Sequence, residues 1–452
     1  MSNRSGMDIV GDASSAPHSV HRMARRVLAT GLVLLPFLLL AGCGGGSGNN
    51  ANIRMLNVSQ NYTSLDVYLG SSTTTATLAG EATGTLSSYA TVAAGSNTVY
   101  FTEDGYTQSD ALASETETFS SGEYRTYVAY DNNAGEFAEY EINENQSTPR
   151  SGYASVEVLN AASGAGSLDV YLTSSGASLT GTSPNFSNLA VGSATSFSAI
   201  ASGTYELSVT GTGNAADVRL QISSLTLSSQ EVVTIILTQS AGGYLVNADL
   251  LPQRGSLTTE LNPDARVRAV VGLASGSDVS ATIGSTTLLS NAPITSIGTY
   301  QLVPVASESA TVSVNGVSVS SPLENLTEGQ DYTLLIYQSS GSLAESWLID
   351  ENALTPSGEA SIRLVDAMSG LTDPLSFSVN DVPLDTGVAQ GAASAYNTGV
   401  DAGVSDLLSV TDTTTSQQIY SLSSVTLSSE HVYTLFMFGS AASPTGILNR
   451  DR

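Results

Sequence analysis

The chain of 452 residues has one cysteine, no lysine, three histidines and one tryptophan. A single thiol excludes a disulfide within the chain and a zinc site built from several cysteines. The basic side chains are 14 arginines against 41 acidic residues, which gives a formal net charge of −27. Such a negative surface repels a phosphate backbone, so nucleic acid is not an expected partner.

Long apolar runs are also scarce. The longest, from Val27 to Leu40, is interrupted by Pro36 and follows three closely spaced arginines. A spanning helix needs about 20 apolar residues, so this run is too short to cross a bilayer. Its charged start and apolar centre predict a secretory signal peptide over residues 1–42.

The single cysteine follows this run directly, in the sequence "LLLAGCGGGSGNN". The four residues Leu40, Ala41, Gly42 and Cys43 resemble the lipobox of bacterial lipoproteins. In that family the signal peptide is cut before the cysteine, whose sulfur carries a diacylglycerol. The resemblance implies that Cys43 is lipidated. The alternative is an ordinary signal peptide followed by an incidental cysteine.

The resemblance also implies a location in the cell envelope. Two or three acyl chains hold a protein stably on a membrane, whereas one is marginal. Residues 43–50, rich in glycine, are predicted to form a flexible tether behind that anchor. Gly44 stands where an aspartate commonly retains lipoproteins of Gram-negative bacteria in the inner membrane, so we expect the outer membrane if the source is Gram-negative.

Beyond the tether, a pattern of about 100 residues recurs four times. "SLDVYL" occurs at Ser64–Leu69 and at Ser167–Leu172, and "SSLTLSSQEVVTIIL" from Ser223 resembles "SSVTLSSEHVYTLFMF" from Ser423. Pro, Gly and polar residues separate the copies, as expected of domain boundaries. The pattern predicts four repeats over residues 51–146, 153–252, 264–353 and 359–452.

Within each repeat, short apolar–polar alternations are separated by turn residues, and no helical period is present. In unit two, Leu168, Val170 and Leu172 alternate with Asp169 and Tyr171. This spacing predicts an all-β fold of antiparallel sandwiches in tandem. Val170 is predicted to face the core, and Asp169 to lie on the surface, where Asp169→Asn would change stability by about 0.5 kcal/mol or less.

The recurring "LDVYL" and "G-x-x-Y-T" segments resemble the immunoglobulin-like tandem domain of unknown function that occurs in bacterial lipoproteins and secreted surface proteins. Units one and two match best, and units three and four have "DVSATIG" and "PLSFSVN" in place of "LDVYL". The resemblance implies a sandwich fold. It implies no activity, catalytic residue or cofactor.

Residues able to support catalysis are few. Downstream of the predicted signal peptide the one histidine is His431, and it begins a strand pattern whose other copies have no histidine. A Ser–His–Asp triad would need this imidazole as its base. We interpret His431 as structural, predict no catalytic, cofactor-binding or metal-binding residue, and regard a hydrolase as a remote alternative.

Acidic residues concentrate between Tyr130 and Asn145, and this set comprises Asp131, Glu136, Glu139, Glu141 and Glu144. Their spacing does not match a calcium-binding EF-hand loop. Glu139 and Glu141 alternate with Tyr140 and Ile142, which predicts the solvent face of an edge strand. Charges there would discourage edge-to-edge aggregation. A calcium site is the alternative.

Trp347 is the one tryptophan, in "ESWLIDEN". Alternation places it on one face with Leu343 and Glu345. Burial at the junction with unit four and a solvent-facing sugar contact are both open.

Together these features predict a non-enzymatic, lipid-anchored envelope protein that serves as a spacer or low-specificity binding module. The alternative is an adhesin that binds a glycan or another envelope protein through its loops.

Overall fold

The computed structural model describes residues 49–70, 75–274, 278–305, 309–320 and 325–452. Within these ranges the chain is built from strands, and the one helix is a single 3₁₀ turn at Gln108–Asp110. The prediction of an all-β protein is therefore confirmed. No helix in the described ranges is long and apolar enough to span a bilayer.

The strands fall into four groups with similar order, one for each repeated stretch of sequence. The first sandwich contains β1 (Asn50–Asn57), β2 (Ser64–Leu69), β3 (Leu78–Ala82), β4 (Thr85–Leu86), β5 (Ala90–Ala93), β6 (Gly95–Glu103), β7 (Ala113–Phe119), β8 (Tyr124–Asp131) and β9 (Phe137–Asn143). The second contains β10 (Tyr153–Asn160), β11 (Leu168–Thr173), β12 (Phe186–Leu189), β13 (Ser198–Ala201), β14 (Gly203–Gly211), β15 (Val218–Leu227), β16 (Val232–Gln239), β17 (Val246–Pro252) and β18 (Thr258–Glu260).

The third and fourth groups follow the same plan. The third sandwich contains β19 (Asp264–Gly272), β20 (Val279–Ile283), β21 (Thr286–Ala292), β22 (Thr295–Ile297), β23 (Gln301–Pro304), β24 (Ala310–Val314), β25 (Val317–Ser320), β26 (Asp331–Ser339) and β27 (Ser342–Asp350). The fourth contains β28 (Glu359–Asp366), β29 (Leu375–Val379), β30 (Val382–Val388), β31 (Asn397–Asp401), β32 (Gly403–Asp412), β33 (Gln417–Leu427), β34 (His431–Ser440) and β35 (Ser443–Arg450).

Each group forms two sheets that enclose one core. In the first sandwich one sheet has the order β4-β1-β8-β9, with β5 also paired to β1, and the other has the order β3-β2-β6-β7. The second sheet of every group is antiparallel throughout. In the core of the second sandwich, Leu168, Val170 and Leu172 of β11 are buried as the alternation predicted.

One pair of strands in every sandwich departs from the predicted antiparallel pattern. β1 is parallel to β8, and the same holds for β10 with β16, β19 with β26 and β28 with β34. A parallel pair requires a crossover connection. Here the strands of the opposite sheet provide it, so the chain leaves the first sheet after its first strand and returns to it in the same direction.

The parallel strands are buried on both faces. In β8, Tyr127 and Ala129 point into the first core, whereas Val128 and Tyr130 point outward into a second apolar cluster. Strands covered on both sides have near-continuous apolar sequences, as "TIIL" in β16 does. The outer faces of these sheets are therefore interfaces between sandwiches.

The interfaces join the sandwiches in two pairs. The outer sheet faces of the first and second sandwiches share a cluster that includes Leu56 and Val128 from one and Leu159 and Ile236 from the other. The third and fourth share a cluster with Val270, Leu335, Val365, Phe436 and Phe438. The described residues from 49 to 452 form one compact unit.

The stretches predicted as linkers are partly ordered. β18 lies between the second and third repeats and pairs with β17, which extends the sheet of the second sandwich by a strand. Thr355, between the third and fourth repeats, is buried, as is Asn352 at the end of the third. Residues 147–152 are mostly exposed and contain no strand. The junctions after the second repeat are thus built into the fold.

Candidate functional sites at the sandwich junctions

Several residues singled out from the sequence can now be placed, and others cannot. Leu40, Ala41, Gly42 and Cys43 lie outside the described residues. His431 begins β34; its Nδ1 lies 2.6 Å from the Ser429 carbonyl oxygen, and its ring stacks on Tyr433. These contacts are with a backbone group and an aromatic ring, and neither supplies a nucleophile for the imidazole to activate.

The acid-rich segment is oriented opposite to the prediction. β9 is an edge strand, as predicted. However, Phe137 packs against the first core, whereas Tyr140 and Ile142 pack against the second sandwich. Glu139 and Glu141 share the face of Phe137, so they point toward the opposite sheet rather than to solvent. The predicted alternation was correct. However, the face with Tyr140 and Ile142, which was expected to point into the first sandwich, is instead covered by the second sandwich.

The inward position changes the proton affinity of both glutamates. Burial, together with the charges of Glu115 and Glu117, raises the pKa of Glu139 to about 7. Burial also raises the pKa of Glu141 to about 7 against the opposing effect of Arg125, whose Nη1 lies 2.8 Å from the Glu141 carboxylate. This acidic group can hold a proton near neutral pH.

The other acids of this segment organise backbone. The Asp131 carboxylate accepts hydrogen bonds from the Ser59 hydroxyl and from the backbone N–H groups of Gln60 and Asn61. In the described part of the chain, no group of three or more His, Cys, Asp or Glu side chains is arranged to hold a metal ion. The calcium alternative therefore gains no support from this segment.

Trp347 belongs to the core of its own sandwich. It packs with Leu343 on the third core, and its ring meets Tyr332 edge-on at 6.1 Å. Leu348, on the other face of β27, packs in the junction with the fourth sandwich. The shared face of Leu343 and Trp347 is confirmed, but burial of Trp347 in the junction with unit four is wrong, because that face points into the sandwich.

The aspartate of the "LDVYL" strands is buried, which contradicts its prediction as a surface residue. In the second sandwich, Asp169 accepts the N–H of Asn188 at 2.7 Å and the N–H of Gly213 at 2.8 Å. In the first, Asp66 accepts the N–H of Gly80 at 2.7 Å. Gly80 and Asn188 both have positive φ, so the carboxylate binds an irregular turn of the neighbouring strand. These aspartates have a structural role.

The junction of the third and fourth sandwiches contains reciprocal buried ion pairs. Arg268 of β19 donates to Asp451, which follows the last strand of the fourth sandwich, at 2.5 Å. Arg363 of β28 donates to Asp350, at the end of the third. Each arginine thus pairs with the acid of the other sandwich. All four side chains are about 1 % exposed or less.

Threonines at the centre of this junction complete the network. Thr333 donates to Asp350 at 2.6 Å, and Thr434 donates to Asp451 at 2.5 Å. Although burial pushes the pKa of Asp350 up, Arg363 and Arg268 hold it below its ordinary value. Each carboxylate is therefore surrounded by several hydrogen-bond donors, which a buried charge requires.

The junction of the first and second sandwiches uses the same positions with different residues. Arg54 pairs with Glu144 of its own sandwich at 3.0 Å and donates to the Gly255 carbonyl. The corresponding residue of the second sandwich is Glu157, which accepts the Tyr140 hydroxyl of the first at 3.1 Å. One ion pair and one neutral donor thus replace two crossed ion pairs.

Both junctions also share a contact between a tyrosine and a glycine. Tyr130 of the first sandwich lies against Gly192 of the second, and Tyr337 of the third lies against Gly391 of the fourth. A Cβ atom on Gly192 would lie 2.6 Å from the Tyr130 hydroxyl oxygen, and both glycines have positive φ. The shared contact indicates that the two pairs are built to one plan.

A separate set of contacts links the two pairs. The Arg452 guanidinium donates to the carbonyls of Gly243 and Ala165 in the second sandwich and to that of Asn352. The Gly242 N–H donates to the Gly329 carbonyl of the third sandwich at 2.9 Å. The Ser240 hydroxyl donates to the same carbonyl. The Arg452 side chain of the fourth repeat therefore binds backbone groups of the second and third repeats.

Beside this region lies a cleft of about 360 Å³. It is lined by loops of the first, second and fourth sandwiches and by residues 353–356. Its polar lining consists of Gln60, Asn61, Asp131, Asn132, Asn133, Ser163, Gln239, Thr355, Glu359 and Thr398. None of the described residues that line the cleft is aromatic, so a sugar there would be bound by hydrogen bonds without ring stacking.

The fold and these junctions define a protein of tandem β-sandwiches joined in pairs. A family described as "Domain of unknown function (DUF4397)" matches residues 51–171, which span the first sandwich and the start of the second. That description assigns no activity. A comparison with curated proteins gave no match.

Among solved structures, one similar chain is CBMbc, a family CBM26 module from Eubacterium rectale Amy13K, crystallised with maltoheptaose. The two are 14 % identical, and the match covers 45 % of this chain and 97 % of the module, with a TM-score of 0.15. This similarity is too low to support an inference about a ligand.

Sequence reasoning missed the residues that build the junctions. Arg54, Arg268 and Arg363 stand at the same position of the first strand in three of the four repeats, each between two apolar residues. A charged residue inside an apolar strand requires a buried partner. Its recurrence was a signal of a polar interface between repeats.

Proposed function

We propose that this chain is a non-enzymatic, lipid-anchored protein of the cell envelope, and that its four sandwiches act as a rigid spacer. The observation that carries the proposal is that two junctions between sandwiches are buried. In the junction of the third and fourth sandwiches, Arg268 pairs with Asp451, and Arg363 pairs with Asp350. Domains on flexible linkers would expose these outer faces to water. Here apolar clusters and buried charges favour one fixed arrangement.

Rigidity can be tested by a distance measurement between sandwiches. Thr118→Cys and Thr426→Cys place spin labels on exposed positions of the first and fourth sandwiches, in a Cys43→Ser background that removes the native thiol. A spacer should give one narrow distance distribution. A broad distribution would contradict the proposal. Arg268→Met in the same background should broaden it, because the junction loses an ion pair.

The membrane anchor rests on the lipobox and on the single thiol. Serine cannot form the thioether, so Cys43→Ser should abolish labelling by a palmitate analogue and release the protein from the membrane fraction. Ser47→Ala, in the predicted tether, is the matched control and should be labelled normally. Equal labelling of Cys43→Ser and the natural chain would refute the anchor. If the source is Gram-negative, we propose the outer membrane as its location.

Glycan binding is a second candidate, favoured by the cleft of amide, hydroxyl and carboxylate groups between three sandwiches. Such groups can form the hydrogen bonds by which sugar hydroxyls are bound. Thr398→Trp should fill the cleft and abolish binding on a glycan array, whereas Val382→Trp, at an exposed position outside the cleft lining, should not. If the natural chain retains no glycan, this candidate fails while the spacer proposal stands.

A further inference from the structure

Asp366 ends β28, the first strand of the fourth sandwich. The parallel register places Asn57 of the first sandwich and Asn160 of the second at the same position, and Val271 in the third. All four side chains are fully buried. Only the fourth sandwich has an ionisable group at this position.

The two asparagines use both ends of their amides. The Asn57 nitrogen donates to the carbonyls of Tyr62 and Glu81, at 2.9 and 3.0 Å, while its oxygen accepts the Ser59 N–H. The Asn160 nitrogen donates to the carbonyls of Gly166 and Leu189, at 3.0 and 2.8 Å. The position therefore calls for one acceptor and a donor that faces carbonyl oxygens.

Asp366 satisfies the first requirement but not the second. Its Oδ1 accepts the N–H of Met368 at 2.9 Å, as the asparagine oxygens accept from two residues ahead. Its Oδ2 is buried and has no hydrogen-bond partner in the described chain. By strand register, Val388 takes the place of Glu81 and Leu189, whose carbonyls accept from the asparagines. An ionised carboxylate cannot donate, whereas a protonated one can.

We propose that Asp366 is a neutral carboxylic acid in the folded protein, and that loss of its proton acts as a pH-sensitive latch on the junction between the third and fourth sandwiches. Its O–H then replaces the amide N–H of Asn57 and Asn160. In agreement, burial raises the pKa of Asp366 to about 7, opposed only by the hydrogen bond from Met368.

No neighbouring charge accounts for this behaviour. The titratable groups on the elements around it are Asp373, Asp385 and Asp412 on the loop and strands of the opposite sheet, Tyr396 on the loop before β31, and Tyr337 of the third sandwich, which packs on Gly391. None of them is among the causes of the raised pKa, which is due to burial. The raised pKa therefore results from the burial of Asp366 itself.

The backbone of Asp366 connects this proton to the junction. Its carbonyl accepts the Gly391 N–H at 2.7 Å, and its N–H donates to the Ala392 carbonyl at 3.0 Å. Gly391 is the residue on which Tyr337 of the third sandwich packs. The neighbours Val365 and Ala367 belong to the junction cluster. A charge on Asp366 would thus loosen the strand end that holds the third sandwich.

The direction in which stability changes with pH follows from the number of protons bound in the folded and unfolded states. Between the ordinary pKa of an aspartate, near 3.8, and about 7, the folded state keeps a proton that the unfolded state releases. The equilibrium constant for unfolding therefore rises with pH in this window, by up to about tenfold per pH unit from this one group. Below this pH window Asp366 does not change the equilibrium constant for unfolding, and above the window its contribution no longer changes with pH.

The test compares the natural chain with Asp366→Asn, which reproduces the first two sandwiches, and with the control Asp381→Asn at an exposed turn. Hydrogen exchange of the Gly391 and Met368 amides is followed from pH 4.5 to 8.5, corrected for intrinsic rates. Protection should fall with pH in the natural chain and in the control, and should stay higher in Asp366→Asn above pH 6.

A ¹³C spectrum of the aspartate carboxyl groups gives an independent measurement. The signal lost in Asp366→Asn should titrate near pH 7. Titration near pH 4, or equal loss of protection in Asp366→Asn, would overturn the proposal. Lower protection in Asp366→Asn than in the natural chain at every pH would also overturn it, because the amide would then be a poorer fit than the acid.

Discussion

Arg268 of the third sandwich donates a hydrogen bond of 2.5 Å to Asp451, a residue that follows the last strand of the fourth. The contact spans 183 positions of sequence, and both side chains are almost completely buried. Because its mirror pair, Arg363 with Asp350, lies beside it, the stability of each sandwich in this pair depends on the other. The folding of this pair should therefore be cooperative.

Arg268→Met should destabilise the pair by about 3–5 kcal/mol, because it leaves Asp451 buried without its charge partner. Denaturant unfolding of the full chain, followed by Trp347 fluorescence, measures the loss in the third sandwich. Arg450→Met, at an exposed position, should change stability by about 0.5 kcal/mol or less. Similar losses in the two variants would show that the crossed ion pair does not contribute to stability.

Gly192→Ala should weaken the first junction beyond the cost of backbone strain. Its Cβ would lie 2.6 Å from the Tyr130 hydroxyl, at φ +77°. Gly176→Ala is a close control, since φ is +74° there and no atom of the described residues lies within 4 Å of the new Cβ. We expect an additional loss on the order of 1–3 kcal/mol for Gly192→Ala, as for other overpacked sites, measured by thermal unfolding.

A second substitution identifies the atom responsible. Tyr130→Phe removes the hydroxyl oxygen and leaves the nearest ring carbon 3.4 Å from the new Cβ. The double variant Tyr130→Phe/Gly192→Ala should recover most of the additional loss. If Gly192→Ala and Gly176→Ala are equally destabilised, the contact with Tyr130 does not limit the approach of the two sandwiches.

Asp169→Asn should destabilise the second sandwich by about 1–3 kcal/mol, because the amide cannot accept from both Asn188 and Gly213. This value replaces the smaller effect expected of a surface residue. Val170→Asp should cost more, several kcal/mol, since it places an unpaired charge in the core. Urea unfolding can rank both against Asp401→Asn, at an exposed position. An unchanged free energy of unfolding in Asp169→Asn would show that these two hydrogen bonds do not contribute to stability.

The first sandwich should lose stability as pH rises toward 7. Burial raises the pKa of Glu139 to about 7, so the folded state keeps a proton that the unfolded state releases above about pH 4.5. Glu139→Gln should remove its own part of this dependence, leave the part due to Glu141, and stabilise the sandwich at pH 8 by about 1–2 kcal/mol, allowing for solvent screening at an edge strand. Unfolding midpoints from pH 4.5 to 8 give the comparison. A parallel pH profile in both proteins would contradict the prediction.

The fold class and much of the core were predictable because they depend on local patterns. The alternation of Leu168, Val170 and Leu172 identifies a strand and its buried face whatever the rest of the chain does. Repetition of the pattern showed that four similar units follow one another. The assignment of His431 to the start of a strand rested on the same repetition, and the structure places it there.

The direction of the first strand was not predictable from local patterns. A parallel and an antiparallel partner require the same alternation, and the choice between them depends on how the chain crosses to the second sheet. The burial of Asp169 was missed for a similar reason. Its two donors, Asn188 and Gly213, approach it only when turns distant in sequence are folded around the strand.

The sequence alone thus determined the strands, their repetition and the inner face of each sandwich, because these depend on residues close together in the chain. Only the tertiary structure decided which outer faces are buried. Glu139, expected on the solvent face of β9, points into the first sandwich, because the second sandwich covers the opposite face that carries Tyr140. Arg268 and Asp366 gained theirs for the same reason: the cost of a buried charge depends on neighbours that come from elsewhere in the chain.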